Sequence, residues 1–181
     1  MENVVIKQED IESNIATYQE TVELNPQDAN AYNKLGSAYF NQGEYESAIV
    51  AYKSAIELVP NDADACNSLG VVYYEHGSIE LAIFEIKRAI EINPRHTKAH
   101  NGLGKIYALT KSYCQQAEGH YQQEDYASAC VAFEQAIKIN PEDADAYYGL
   151  GTICHRQGDI KSALVVFKGR LRLNQNMRVR V

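Results

Sequence analysis

The sequence predicts an all-α protein that is built as an array of antiparallel helix pairs. Its four prolines stand at positions 26, 60, 94 and 141, which gives two intervals of 34 residues and one of 47. Leucine–glycine doublets recur at 35–36, 69–70, 103–104 and 150–151. Around these markers, apolar residues return every three or four positions, which is the spacing of one helix face. A period of this length is typical of proteins in which one helical hairpin stacks on the next.

Composition limits the class of protein. With 181 residues, of which 45% are hydrophobic, the chain can form one domain with a sizeable core. The first ten residues carry acids and lack the apolar centre of a signal peptide, and the longest aliphatic run, 163–167, is too short to span a bilayer. We therefore expect a cytoplasmic protein.

The first complete unit has the most regular pattern, formed by Tyr32, Leu35, Gly36, Tyr39, Ala48, Tyr52 and Pro60. This spacing resembles the tetratricopeptide repeat, a helix–turn–helix unit of about 34 residues. The second unit repeats it with Cys66, Leu69, Gly70, Tyr73, Ala82, Ile86 and Pro94, and the last unit with Tyr147, Leu150, Gly151, Cys154, Ala163 and Phe167. The resemblance implies a right-handed superhelical array of helix pairs, an α-solenoid.

The repeats divide the chain into segments. These are an N-terminal segment (1–9), a capping helix that forms half a repeat (10–25), repeat 1 (29–62), repeat 2 (63–96), an irregular repeat (97–143), the last repeat (144–173) and a basic tail (174–181). The capping helix carries one apolar stripe, formed by Ile11, Ile15, Tyr18 and Val22. Asn14 and Thr21 stand where the complete repeats have alanine, so we expect this helix to end the array with one face in water.

In repeat 1, local signals mark the helix ends. Asp28 can accept hydrogen bonds from the first amides of a helix that runs to about Asn41. Gly43 permits the left-handed turn that follows this helix. The second helix is expected at 45–58 and ends before Pro60, because the residue before a proline is pushed out of helical geometry.

The irregular repeat has no turn glycine near Lys111, and its second helix begins only near Asp125. Residues 100, 103, 107, 110, 114, 117 and 121 keep an unbroken helical spacing, so we predict one long helix at about 97–122. Two short helices with a break near Thr110 are the alternative. In the long-helix form, one side of 97–109 lacks its usual second helix. A partner helix, a second copy of the chain, an exchanged helical hairpin or local repacking of Tyr113 and Tyr121 would have to cover that side.

The family resemblance implies that the first helices line a concave groove that holds a protein or peptide client. The candidate groove residues are Asn33, Ser37, Phe40, Asn67, Val71, Tyr74, Lys98, Asn101, Lys105 and Tyr148. Asn33, Asn67 and Asn101 share one phase of the repeat, and a carboxamide can both donate and accept, so the three could hold the backbone of an extended peptide. Phe40, Tyr74 and Tyr148 would supply apolar anchors. The alternative is that asparagine is merely tolerated at an exposed position.

The sequence shows no signature of catalysis. It contains no phosphate-binding loop, nucleophile elbow, HExxH motif or CxxC pair, so we expect no enzymatic activity, no cofactor and no metal. His96 and His100 are four residues apart, but His100 falls on the core-facing stripe and no third ligand is apparent. The four cysteines lack paired spacing and are expected to be buried free thiols, with an exposed, reactive Cys114 as the alternative.

The charge is unevenly distributed. The net charge is −7, yet residues 168–181 carry five basic residues and no acid. The rest of the chain is therefore strongly acidic and repels nucleic acid, which we do not expect as a partner. The tail could contact an anionic membrane surface, and a solvated terminus is the simpler interpretation.

These patterns predict a non-catalytic scaffold or adaptor that binds a peptide or helix of a client protein, for example during complex assembly. A clamp for the acidic C-terminal peptides of chaperones is not expected, because only Lys98 matches the residues that such family members use. The alternative function is a self-associating structural protein, for example a homodimer. It would use residues 97–109 and the uncovered last helix, which carries Val165, Phe167 and Leu171.

Overall fold

The computed structural model describes the backbone of residues 2–179 and the side chains of residues 12–169. Over this range the chain consists of α-helices and short turns, with no β-strand. The helices are α1 (Glu2–Leu24), α2 (Ala29–Gln42), α3 (Tyr45–Leu58), α4 (Ala63–Glu75), α5 (Ile79–Ile92), α6 (Thr97–Gln122), α7 (Tyr126–Ile139), α8 (Ala144–Arg156) and α9 (Ile160–Val179). The prediction of an all-α helical repeat fold is confirmed.

The chain forms two compact units, Met1–Leu103 and Gly104–Val181, called unit 1 and unit 2 below. In unit 1, α1 packs against α2, α2 against α3, α3 against α4 and α4 against α5. In unit 2, α7 packs against α8 and α8 against α9. Short turns join these helices, so neighbours run antiparallel. Each unit is thus made of the helical hairpins that the repeat pattern predicts.

The first helix begins at Glu2, before residue 10, where the apolar pattern starts. Ile15 is buried in a cluster with Leu35, Ala38 and Ala51, and Tyr18 and Val22 pack against that cluster. The stripe is confirmed for these three residues of α1, whereas the side chain of Ile11 lies outside the described residues. The side chains of the basic tail (174–181) also lie outside them.

Aspartates cap three of the first helices, as the sequence predicts for Asp28. A side-chain oxygen of Asp28, Asp62 and Asp143 accepts the backbone N–H three residues later, at 3.0 Å in each case. The turns between paired helices contain Gly43, Gly77 and Gly158, whose φ angles of 81°, 85° and 78° are left-handed.

The corresponding turn between α6 and α7 has Glu124 in place of glycine. Its φ is 60°, and it is the one non-glycine residue with a positive φ among those described. A side chain in this region costs roughly 1–2 kcal/mol, because its Cβ atom approaches the following carbonyl oxygen. The turn therefore keeps its left-handed geometry at this position of the repeat, although glycine, the residue that favours this geometry, is absent.

Helix pairs are held close by one side chain of the second helix that lies over a glycine of the first. A Cβ atom added to Gly36 would lie 2.9 Å from Tyr52, and one added to Gly70 would lie 2.6 Å from Ile86. In both pairs the two residues are 16 positions apart. The glycine of the doublet is needed because no methyl group fits between the helices.

The structure confirms one long helix from Thr97 to Gln122, and Thr110 is buried within it without any break. A Cβ atom on Gly104, the third doublet glycine, would meet no atom within 4 Å. Ala117 instead takes the glycine's role: it lies 16 residues before Phe133 and shares a buried cluster with it. The second half of α6 is therefore a new first helix, displaced by the 13 extra residues of the last proline interval.

The side of 97–109 that was expected to need a cover does not expose large apolar side chains. Ile106 is buried, and Leu103, Tyr107 and Leu109 are half-buried. This stretch therefore offers little apolar surface to a partner.

The structure corrects the expectation that His100 lies in the core. His100 is exposed, and His96 is the buried histidine, with 7% exposure. Its Nδ1 accepts the Ala99 N–H at 3.2 Å, so Nε2 carries the proton and donates to Asp64 Oδ1 at 3.1 Å. His96 occupies the capping position that Asp28 and Asp62 hold in the earlier repeats, which explains its burial.

Candidate functional site

In unit 1, the candidate residues lie along α2, α4 and the beginning of α6. Ser37, Lys98 and Asn101 are exposed, whereas Phe40, Val71 and Tyr74 are half-buried. The Ser37 hydroxyl lies near the buried phenol of Tyr52, and burial raises the Tyr52 pKa while the Ser68 and Ser37 hydroxyls reduce that shift. This face is therefore polar, with apolar side chains partly accessible between the polar ones.

The structure corrects the idea that Asn33, Asn67 and Asn101 form one accessible row of side-chain amides, because the three differ in burial and in partners. Asn33 Nδ2 donates to Asp62 Oδ2 at 3.0 Å and so ties α2 to the carboxylate that caps α4. Asn67 is buried, with 7% exposure, and its side-chain oxygen has no partner among the described residues. Only Asn101 is exposed. Asn33 therefore serves a contact inside the protein, and Asn67 is too buried to reach a client.

Phe40 is also engaged inside the protein. Its ring centre lies 6.0 Å from that of Tyr45, which in turn lies 6.5 Å from the ring of His76. His76 Nε2 contacts Glu46 Oε1 at 3.2 Å. The predicted anchor Phe40 therefore belongs to an aromatic row that joins α2 to α3 and to the C-terminal end of α4.

In unit 2, a pocket of about 300 Å³ lies between α6 and α8. Its lining includes Cys114, Glu118, Tyr121, Phe133, Asp145 and Tyr148. Among the candidate residues of unit 2, Tyr148 lines the pocket, whereas Lys105 is exposed elsewhere on α6. Both walls are first helices, because the second half of α6 acts as one.

A glycine of α8 determines the shape of the pocket floor. A Cβ atom on Gly149 would lie 2.1 Å from Cζ of Phe133, so only glycine lets the Phe133 ring pass beneath α8. Thr152, one turn further along α8, donates its hydroxyl to the Tyr148 carbonyl at 2.8 Å and also lines the pocket. The pocket is therefore built on helices and a packed core residue, which hold its walls in place.

The pocket has a negative electrostatic character. The pKa of the Cys114 thiol is raised to about 11, first by burial and then by the charges of Asp143, Glu118 and Asp145. All four cysteines are free thiols, and Cys114 is half-buried. An unusually reactive Cys114 is therefore not expected, since its thiolate form is disfavoured.

The sequence contained a signal for this pocket that the groove assignment missed. Cys114 and Glu118 follow the assigned groove residues Asn101 and Lys105 by 13 residues, which is the excess of the last proline interval. The assignment did not restart the groove phase in the second half of α6.

Neither a metal site nor a membrane span emerges from the described part of the chain. No group of three or more His, Cys, Asp or Glu side chains in it could hold a metal ion. No described helix combines the length and the apolar character that crossing a membrane requires.

Family models match most of the chain. One described as TPR repeat matches residues 3–43, 36–77 and 119–167, and one described as tetratricopeptide repeat matches residues 63–96. The chain belongs to the tetratricopeptide repeat family. As a tetratricopeptide repeat protein, it is a scaffold for protein–protein interaction, and the family and fold are generally non-catalytic.

Solved structures similar to this tetratricopeptide repeat chain include a crystal structure of MamA. It is 23% identical over 95% of this chain and 93% of that chain, with a TM-score of 0.49. MamA 41-end from Desulfovibrio magneticus RS-1 is 19% identical over 96% and 91% of the two chains, with a TM-score of 0.46. YrrB, a TPR protein with an unusual peptide-binding site, is 22% identical over 94% and 81%, with a TM-score of 0.46. No curated protein matches the chain.

Proposed function

We propose that this protein is an adaptor that binds a peptide or helix of a client protein on the first-helix faces of its repeats, in support of complex assembly. The pocket between α6 and α8 carries this proposal. It combines aromatic rings with a few polar groups on a rigid helical frame, which is the usual composition of a ligand site.

The two units would contribute different contacts. Unit 1 offers the exposed polar side chains of Ser37, Lys98 and Asn101, with Tyr74 partly accessible between them. Unit 2 offers the pocket, with Tyr148 at its wall and 53% exposed. Aromatic residues of this kind often supply a large share of the binding energy, because they bury much surface with few rotatable bonds.

A random peptide library selected on the full chain tests the proposal. Tyr148→Ala should weaken the binding of selected peptides by about tenfold or more, because it removes a wall of the pocket. Val131→Ala is the matched control, since Val131 is exposed on α7 and does not line the pocket. Peptides whose binding is equally insensitive to both substitutions would disprove this site.

Self-association is the second candidate function, and it is favoured by the last helix. Leu164 and Val165 are 54% and 70% exposed on α9. Phe167 is less available, because it is half-buried and its ring approaches Gly151. Light scattering of the full chain decides between the two functions: a monomer at tens of micromolar excludes self-association, and a dimer that Val165→Glu dissociates supports it.

A further inference from the structure

We propose that the pocket of unit 2 receives a lysine or arginine side chain of the client peptide. The inference rests on the function proposed above and names the chemistry of one recognised residue. The pocket volume of about 300 Å³ is at the lower end of the range for ligand sites, roughly 300–1,000 Å³. This size suits a single side chain and is too small for a helix.

The charges around the pocket select for a cation. Glu118 comes from α6 and Asp145 from the first turn of α8, so two helices each bring a carboxylate to the lining. Among the described lining residues there is no lysine or arginine, and the Arg156 guanidinium over the Tyr121 ring sets one positive charge against these two carboxylates. Asp143, which caps α8, adds a third negative charge that is felt at Cys114. An acidic side chain would be repelled here, whereas a basic one would be attracted.

The aromatic lining suits the long stem of such a side chain. Phe133 forms the floor, and the rings of Tyr121 and Tyr148 stand on the two walls. Lysine and arginine carry their charge at the end of an aliphatic stem, which can pack on aromatic rings while the charged end reaches carboxylates. The Arg156 guanidinium lies 5.2 Å from the centre of the Tyr121 ring, and the Tyr148 ring lies 6.2 Å from that of Phe167, so both rings already have a neighbour. Tyr148 lines the pocket and is 53% exposed, whereas Tyr121 is half-buried and already contacts a cation, so we assign the Tyr148 ring to the ligand.

The charge preference can be measured with small probes on the full chain by NMR. N-acetyl-lysine methylamide should shift the resonances of Tyr148 and Thr152, and added salt should weaken the effect, because screening reduces the attraction of exposed charges. N-acetyl-norleucine methylamide has a similar stem without the charge and should have little effect. An equal response to both probes, or no response at the pocket to lysine, overturns the inference.

Removal of the negative charges of the pocket provides a second test of the inference. Glu118→Gln combined with Asp145→Asn keeps the shape of the side chains and should lower the affinity for the lysine probe by about tenfold. Glu124→Gln combined with Glu134→Gln changes the net charge equally outside the lining and should leave the affinity within about twofold. Equal losses in the two double variants would show long-range attraction alone and would overturn the inference.

The outcomes separate this inference from the proposed function. Selected peptides that depend on Tyr148 but lack a preferred basic residue refute the inference and leave the function standing. Selected peptides with a fixed lysine or arginine, whose preference disappears in the Glu118→Gln, Asp145→Asn variant, support both. The basic segment 168–181 of a second copy could compete for the pocket. Self-association that this double variant abolishes would identify that occupant and overturn the client version.

Discussion

Phe133 lies directly beneath Gly149, because a Cβ atom built on Gly149 would come within 2.1 Å of the Cζ atom of the ring. The same ring shares a buried cluster with Ala117 and forms the floor of the pocket. One side chain of α7 therefore fixes the approach of the helices on both sides of it. The core packing of unit 2 and the shape of its pocket depend on the same contact.

Substitution of two glycines by alanine should have opposite effects on stability. Gly149→Ala must displace Phe133, and overpacking of this kind costs roughly 1–3 kcal/mol, more than the helix propensity gained. Gly104→Ala should stabilise the protein by roughly 0.5–1 kcal/mol, because an added Cβ atom there meets no atom within 4 Å. Urea unfolding followed by circular dichroism measures both changes. A stabilised Gly149→Ala protein would contradict this account of the packing.

Glu124→Gly should stabilise the turn between α6 and α7. The left-handed φ of 60° strains a residue with a Cβ atom, and glycine relieves that strain at some cost in the entropy of the unfolded chain. The expected net gain is about 0.5–1 kcal/mol in the free energy of unfolding. Gly158→Ala is the converse control. Gly158 has a φ of 78° in the equivalent turn, so this variant should be less stable than the original protein. If both variants lose stability, the left-handed strain at Glu124 is not significant.

Local signals in the sequence predicted much of the fold. The capping role of Asp28, the left-handed turn at Gly43 and the continuous helix at 97–122 all depend on residues near in sequence, and the structure confirms each of them. The sequence did not predict that His96 replaces the capping aspartate of the earlier repeats. The contact between Nε2 and Asp64 favours the tautomer whose Nδ1 accepts the helix amide, and Asp64 lies 32 residues away in the sequence.

The candidate surfaces were less predictable because burial depends on the neighbouring repeat. Asn67 shares its repeat phase with the exposed Asn101, yet it is buried. The periodicity of a sequence shows which residues share one face of a helix, but it does not show how far a neighbouring helix covers that face. The pocket at Tyr148 needs a further fact, namely that α6 contains two successive first helices, which the spacing of the prolines already implied.

Glu85 should make the stability of the protein depend on pH. Burial raises the pKa of its carboxyl group, and Arg88, whose Nη1 lies 3.6 Å from Oε2, only partly opposes that shift. An acid whose pKa is raised on folding holds its proton more tightly in the folded state. Its contribution to stability is therefore full below the ordinary pKa of 4.5 and is lost as the pH rises through the folded value.

Glu85→Gln, which cannot ionise, should therefore gain in free energy of unfolding relative to the original protein between pH 4 and pH 7. Glu46→Gln is the control of opposite sign. The pKa of Glu46 is lowered by its backbone hydrogen bond and by His76, so this variant should lose relative stability over the same interval. Urea unfolding at the two pH values measures both differences. A Glu85→Gln difference that is constant with pH would contradict the burial of a charged carboxylate.

The reactivity of Cys114 should report the negative field of the pocket. Its pKa of about 11 means that little thiolate is present near neutral pH, so alkylation by iodoacetamide should be slow. Removal of two nearby charges, by Glu118→Gln with Asp145→Asn, should speed the reaction several-fold, while burial keeps it slower than that of a free thiol. Cys130 is the internal control, because burial, Cys154 and Glu134 raise its pKa and the two substituted residues do not. Mass spectrometry of the labelled peptides gives both rates in one sample. If Cys114 and Cys130 accelerate equally, the substitutions have loosened unit 2, and the rate no longer reports the electrostatics of an intact pocket.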